Sequence, residues 1–393
     1  MTTARRRSFI SSLLVLAAIG LLWPIYNAPI WWVSLEAPNY PPEVFPDGVR
    51  IEFHLNGVFS GCGQAAGSAD QEGDALDCVH EMDTINHYVG MYPIASGGAV
   101  EVFFSLFLVA MVGVMLLGFL VRCAVLRMSI MSAGFVAVAV WMGLAFLGPD
   151  GLRYQSARYL AGRVMDSGES LADETPDREL SSGEALVARL KASLAESKAA
   201  EGGEAQAAPA AVDGGAKEQS LRYFRDAFNQ DTDRIGDEQW QGSGSQFIPW
   251  HYRRNLGRYF RDPEVLEPMV AGIAKEGTIL FWGIIVAMIV LVGITRRPGG
   301  AAEKLLTLAP AGLPLFFVIE YSVWLWWYGH HMNEMGAFTL KPFMPTVFGQ
   351  GKVAQFTTNS YPEYGFGLMI LFSLLLLAAM LLRRERIKDD EDN

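Results

Sequence analysis

The chain has 393 residues, 51% of them hydrophobic, and carries 42 acidic against 31 basic side chains for a net charge of −11. So apolar a composition in so acidic a chain is unusual for a soluble globule and suits helices in lipid joined by polar loops. The acidic balance argues against nucleic acid as a partner, and arginines grouped beside the apolar runs make the lipid bilayer the first partner implied.

A spanning helix needs roughly 20 predominantly apolar residues. Six stretches meet that requirement: 9–23 with a continuation to 33, 100–121, 128–147, 278–295, 305–328 and 365–382. The first follows Arg5, Arg6 and Arg7 and lacks a small-residue cleavage site after Trp23, so residues 1–33 read as an uncleaved anchor with Trp31 and Trp32 in an interfacial collar. Arg122 and Arg127 flank the connection inside 100–147. Arg296, Arg297 and Lys304 flank the one inside 278–328, and Arg383, Arg384, Arg386 and Lys388 follow the last span within 365–393. Each marker is basic, so all four belong on the cytoplasmic side. The fold class expected is an all-α, six-span protein of a bacterial inner (plasma) membrane, with both termini cytoplasmic and three large outer loops.

Outer loop 1, residues 34–99, alternates Val49, Ile51, Phe53 and Leu55 before Asn56-Gly57, which predicts a β-hairpin. Outer loop 2, residues 148–277, holds an Ala, Glu and Gly-rich region at about 168–217. That region lacks the apolar surface to pack and reads as a mobile insertion. Farther on, Tyr223-Phe224-Arg225-Asp226 is echoed by Tyr259-Phe260-Arg261-Asp262, a hint of two similar amphipathic helices. Outer loop 3, residues 329–364, is weakly charged and carries a candidate strand at 353–358.

All six histidines fall in these outer loops. A helix over 78–91 would align His80, Asp83, His87 and Met91 on one stripe, with Cys78 and Met82 close by. Continuing the fifth span would set His331 and Met335 four residues apart on one face, beside His330 and Met332. Glu320 lies three turns earlier and points the same way. Imidazole and thioether are the donors that suit copper, above all Cu(I), so the two clusters are expected to meet at one outer-face metal centre made by His80, His87, Met91, His331 and Met335. Methionine as core filler and histidine as a hydrogen-bonding loop residue form the structural alternative. Haem is the rival cofactor, disfavoured because no Cys-x-x-Cys-His is present and no span carries a histidine.

Cys62 and Cys78 are expected to form a disulfide in an oxidising compartment, the alternatives being a thiolate ligand at Cys78 or a pair that is redox-active during metal transfer; Cys123 reads as a small hydrophobe. Glu320, an acid inside a span, is a functional candidate by default. Its structural alternative is a hydrogen bond to the neighbouring Tyr and Trp side chains. His251 with Arg253, Arg254, Arg258 and Arg261 would meet an acidic partner or lipid headgroups, or form a solvated helix face. Without a Ser-His-Asp order, a P-loop or a dinucleotide fingerprint, nothing supports an enzyme acting alone. The function expected is holding or passing copper, as an accessory or subunit of a respiratory or other copper-dependent membrane or periplasmic complex. The alternatives are a non-catalytic scaffold that docks a partner and a haem-bearing or quinone-reactive electron-transfer subunit.

Overall fold

The computed structural model describes residues 3–62, 77–167, 209–235, 238–295, 300–337, 340–353 and 355–391. In chain order these form α1 (Thr3–Asn27), β1 (Trp31–Glu36), β2 (Val49–His54), β3 (Gly57–Ser60), α2 (Cys78–Tyr88), α3 (Ala99–Leu120) and α4 (Ala124–Leu147). There follow α5 (Ala157–Asp166), α6 (Pro209–Ile235), α7 (Gly244–Tyr259), α8 (Pro263–Thr295), α9 (Gly300–Ala311), α10 (Leu313–His330), β4 (Gly349–Val353), β5 (Phe356–Pro362) and α11 (Tyr364–Glu391). Most of the heart of the expected insertion, 168–208, lies outside the described residues, whereas 209–217 is the first part of α6.

Five helices, α1, α3, α4, α8 and α11, are long and apolar enough to cross a membrane. The helices α9 and α10 meet the same length and composition only when taken together, bent by 47° at Gly312 between Pro310 and Pro314, so the described residues hold five candidate spans, or six if the bent pair counts as one. Apolar side chains such as Ile279, Val136 and Leu315 point outward, each more than 60% exposed, which in water would be an unpaid cost and in hydrocarbon is none. Inside, Phe103 packs edge to face on Phe104 and Phe146, Phe107 lies tilted against Phe103 and Phe104, and Phe146 stacks on Phe281, joining α3, α4 and α8. At the end of the bundle where α3 meets α4, arginines satisfy helix carbonyls. The buried Arg127 donates to Thr295 O at 2.8 Å, and Arg383 donates to Phe119 O.

The remaining elements make a cap at the other end. Its centre is a five-stranded antiparallel sheet in the order β3-β2-β1-β5-β4, so two loops expected to be separate share one sheet. The hairpin of β2 and β3 is present, with His54 opposite Gly57 and the turn at Leu55-Asn56. The candidate strand at 353–358 is instead the junction of β4 and β5, where Val353 pairs with Phe356. Trp31 is not an interfacial collar. It enters β1 only 3% exposed, packs on Phe317, Tyr321 and Phe366, and donates its indole N–H to Ser360 Oγ at 2.9 Å. The echoed Tyr-Phe-Arg-Asp motifs fall in the middle of α6 and at the end of α7, so they do not mark equivalent helices.

Candidate functional site

Cys62 and Cys78 are joined by a disulfide, Cα atoms 6.1 Å apart, which rules out Cys78 as a thiolate ligand and fixes the start of α2 to the end of β3. Asp77 caps α2, its carboxylate accepting the N–H groups of Val79 and His80 at 3.1 Å. The helix ends at Tyr88, so Met91 is not on the stripe with His80 and His87. Met91 is 5% exposed in the core around the bundle, whereas Met82 is 2% exposed in the core of the cap. Both thioethers serve as filler there. His80 is exposed, with Nδ1 3.3 Å from Tyr259 Oη. His87 packs on Tyr259 and Phe260, ring centroids 5.7 and 4.9 Å away, and burial pushes its pKa down.

The other cluster departs from expectation in the same way. α10 stops at His330, so His331 and Met335 do not share a continuing helix face. The two stretches of chain do meet, but through the backbone: Asn333 N–H donates to Gly90 O at 2.7 Å, and Asn333 Nδ2 reaches Tyr92 Oη at 3.3 Å. Gly90 has φ +80°, and a Cβ there would stand 2.5 Å from Asn333 O, so the crossing requires glycine. Among the described residues no three His, Cys, Asp or Glu side chains gather in a group able to hold a metal ion. The single centre of His80, His87, Met91, His331 and Met335 is therefore not assembled, because the helix ends turn its donors to separate neighbours.

What the fold does assemble is a cleft. The bend at Gly312 sends α10 along a different line from α9. The space between α10 and α3, closed at its cap end by the β2–β3 hairpin, is a cavity of about 280 Å³. Val102, Leu108, Val109 and Val112 of α3 face Leu313, Phe316 and Phe317 of α10 across it. Its polar groups are few: Glu101, Glu320, Ser105, His54, Trp324 and two tyrosines. Tyr321 Oη is taken by Ser360 Oγ at 3.2 Å, and Tyr328 Oη donates to Pro93 O at 3.3 Å. Ser105 Oγ donates to Val102 O at 2.7 Å. The two carboxylates are left as the strongest acceptors facing the space. The Trp324 side chain is a hydrogen-bond neighbour of the Glu101 carboxyl group, beside Gly98. Glu320 and Glu276 stand within electrostatic reach of Glu101. His54 is held from behind by Asn27 O at 3.1 Å and by Arg158, whose Nη2 is 3.3 Å from the ring.

A second polar cluster lies buried in the cap. Arg163 Nη1 is 3.2 Å from Asp166 Oδ2, both side chains no more than 2% exposed, and Arg163 Nη2 donates to Ala95 O at 3.3 Å. Ser96 Oγ donates to Asp166 Oδ1 at 3.0 Å. His251 is not on a solvated face; it is 3% exposed, with Nε2 2.8 Å from Arg163 O and Nδ1 3.9 Å from Asp166 Oδ2. Its arginine neighbours do face outward, Arg253 pairing with Glu267 at 2.6 Å and Arg254 with Asp231 at 2.9 Å. Asp83 is buried beneath α2, accepting Ile94 N–H at 2.8 Å. Sequence periodicity pointed to neither assembly, since each draws on helices far apart in the chain. The acid inside a span, Glu320, was the signal that the sequence offered.

The fold and the cleft together define a helical, multi-pass membrane type of protein with an α/β cap. No protein family, no curated protein and no solved structure matches the chain.

Proposed function

We propose that the chain is a six-span subunit of a bacterial plasma membrane, cap outward and both termini cytoplasmic, which binds an isoprenoid quinol from the bilayer as part of a respiratory-type assembly. The observation that carries this reading is the cleft between α3 and α10: apolar and aromatic along its walls, with Glu101 and Glu320 as its hydrogen-bond acceptors. A polyprenyl tail matches the aliphatic wall at little solvation cost. A flat ring matches Phe316, Phe317 and Trp324, and its two hydroxyls donate, which is what carboxylates accept. A phosphate-headed lipid presents the opposite chemistry, bringing anionic charge to two acids.

The test is direct binding of a short-chain quinol analogue to the full-length protein in detergent, alongside its E101Q/E320Q variant. The pair of substitutions is expected to weaken binding by about tenfold or more, since each replaces a carboxyl group of the cleft by an amide that cannot take a proton from the ring hydroxyl. A V112W variant is expected to block entry from the apolar side. Equal binding of the quinol, a polyprenyl phosphate and a plain phospholipid would reduce the cleft to a lipid-filled gap and end the proposal.

A further inference from the structure

Two adjacent imidazoles at the cap end of α10 are each held in one tautomer. His330 Nδ1 lies 2.8 Å from Trp326 O, and His331 Nδ1 lies 3.0 Å from Trp327 O. A carbonyl oxygen can only accept, so each Nδ1 carries a proton, and in the neutral ring it is Nε2 that presents the lone pair. Stacking holds the rings as well: His330 on Trp326 at 4.7 Å and 22°, His331 on Trp327 at 5.1 Å and 16°. His331 also meets Trp326 edge-on at 5.9 Å, so a single indole is flanked by both imidazoles. Both histidines are exposed.

The chain beyond them is fixed as well. Asn333 is tied to Gly90 O by its backbone N–H, and its side chain accepts Met335 N–H at 2.9 Å. That turn presents Met335 with 52% of its surface exposed, while Met332 is half-buried. A backbone carbonyl that orients an imidazole through its protonated nitrogen is the usual supporting contact behind a metal-ligating histidine. Two neutral imidazoles and a thioether are soft to borderline donors without charge. That set favours Cu(I), which accepts low coordination numbers, over Zn²⁺, which takes four ligands, and over the oxygen-seeking Mg²⁺ and Ca²⁺.

We infer that His330 and His331, through Nε2, and Met335, through its sulfur, form a surface site for Cu(I) at the rim of the cap. None of the three lines the cleft, so the inference does not rest on quinol binding. Neither His80 nor His87 takes part.

The test is an anaerobic titration of the full-length protein in detergent with Cu(I), in competition with a chromophoric Cu(I) chelator. One Cu(I) per chain is expected. In H330N/H331N the amide N–H can still bond the helix carbonyls while the Nε2 donors are gone, and the apparent affinity is expected to fall by about tenfold or more. M335L is expected to lose less, and H80N/H87N nothing. An unchanged melting curve for H330N/H331N would show that the helix end is intact. Failure to hold Cu(I), equal affinity in H330N/H331N, or loss of copper in H80N/H87N would overturn the site and leave the pair as a helix terminus only.

Discussion

Asp83, Arg163, Asp166 and His251 come from three helices of the cap, and taking either partner from a buried ion pair such as Arg163 with Asp166 leaves an uncompensated charge that costs about 3–5 kcal/mol. Two of these groups titrate against folding in opposite directions. Burial, reinforced by the charge of Asp166, pushes the Asp83 carboxyl well above its usual range, so its neutral form is the one the fold favours. Its contribution is complete below the unfolded pKa and fades as pH rises through the folded one. Burial pushes His251 down to about 4 against the opposing pull of Asp166, so its contribution is present above the ordinary value of 6.5 and is lost as pH falls towards 4. Between about pH 4 and 6.5 the two slopes oppose, so the parent chain is expected to melt at a nearly constant temperature there and to lose stability above it, whereas D83N, left with the His251 slope alone, is expected to lose stability as pH falls through that window and none above it. Thermal melts of the two proteins in detergent across pH 3 to 9, roughly the span the two groups cover, check it. A parallel decline in both would show that Asp83 is not the group responsible.

Elements of the cap are held by cross-links that local patterning reveals only in part. The alternation of Val49, Ile51 and Phe53 is legible because one face of the strand is buried. The pairing of β1 with β5 is not, because it joins residues more than 300 positions apart through backbone bonds that carry no side-chain signature. The disulfide was expected from the oxidising compartment that the expected topology implied. It closes a loop of 16 residues, so removing it frees unfolded-chain entropy worth about 3 kcal/mol. Lowered stability of about that size is expected for C62S/C78S in denaturant titration of the cap's tryptophan signal. No change would mean that the sheet and the α2 contacts alone fix the cap. The bend between α9 and α10 was foreshadowed by Pro310 and Pro314, whose rings cannot continue a regular hydrogen-bond ladder. That the bend opens a cleft lined by Glu101 of another helix was not.

For the whole molecule, the proposed orientation places Cys123, the exposed free thiol between α3 and α4, at the cytoplasmic face. In bacterial cells expressing the chain, a membrane-impermeant maleimide is expected to label Cys123 only after the membrane is permeabilised. Labelling of intact spheroplasts would invert the topology and with it the outward cap. The sequence by itself determined the membrane helices, the hairpin and the disulfide, since apolar length, period-two alternation and cysteine chemistry are local properties. Tertiary structure alone decided which polar groups meet. His87 and His331 lie on segments that touch at Gly90 and Asn333, yet their side chains go to Phe260 and Trp327 because the ends of α2 and α10 turn them apart. Glu101 and Glu320 come to one cleft because a helix breaks at Gly312. Convergence of this kind depends on packing between distant helices, and side-chain spacing along a chain holds no record of it.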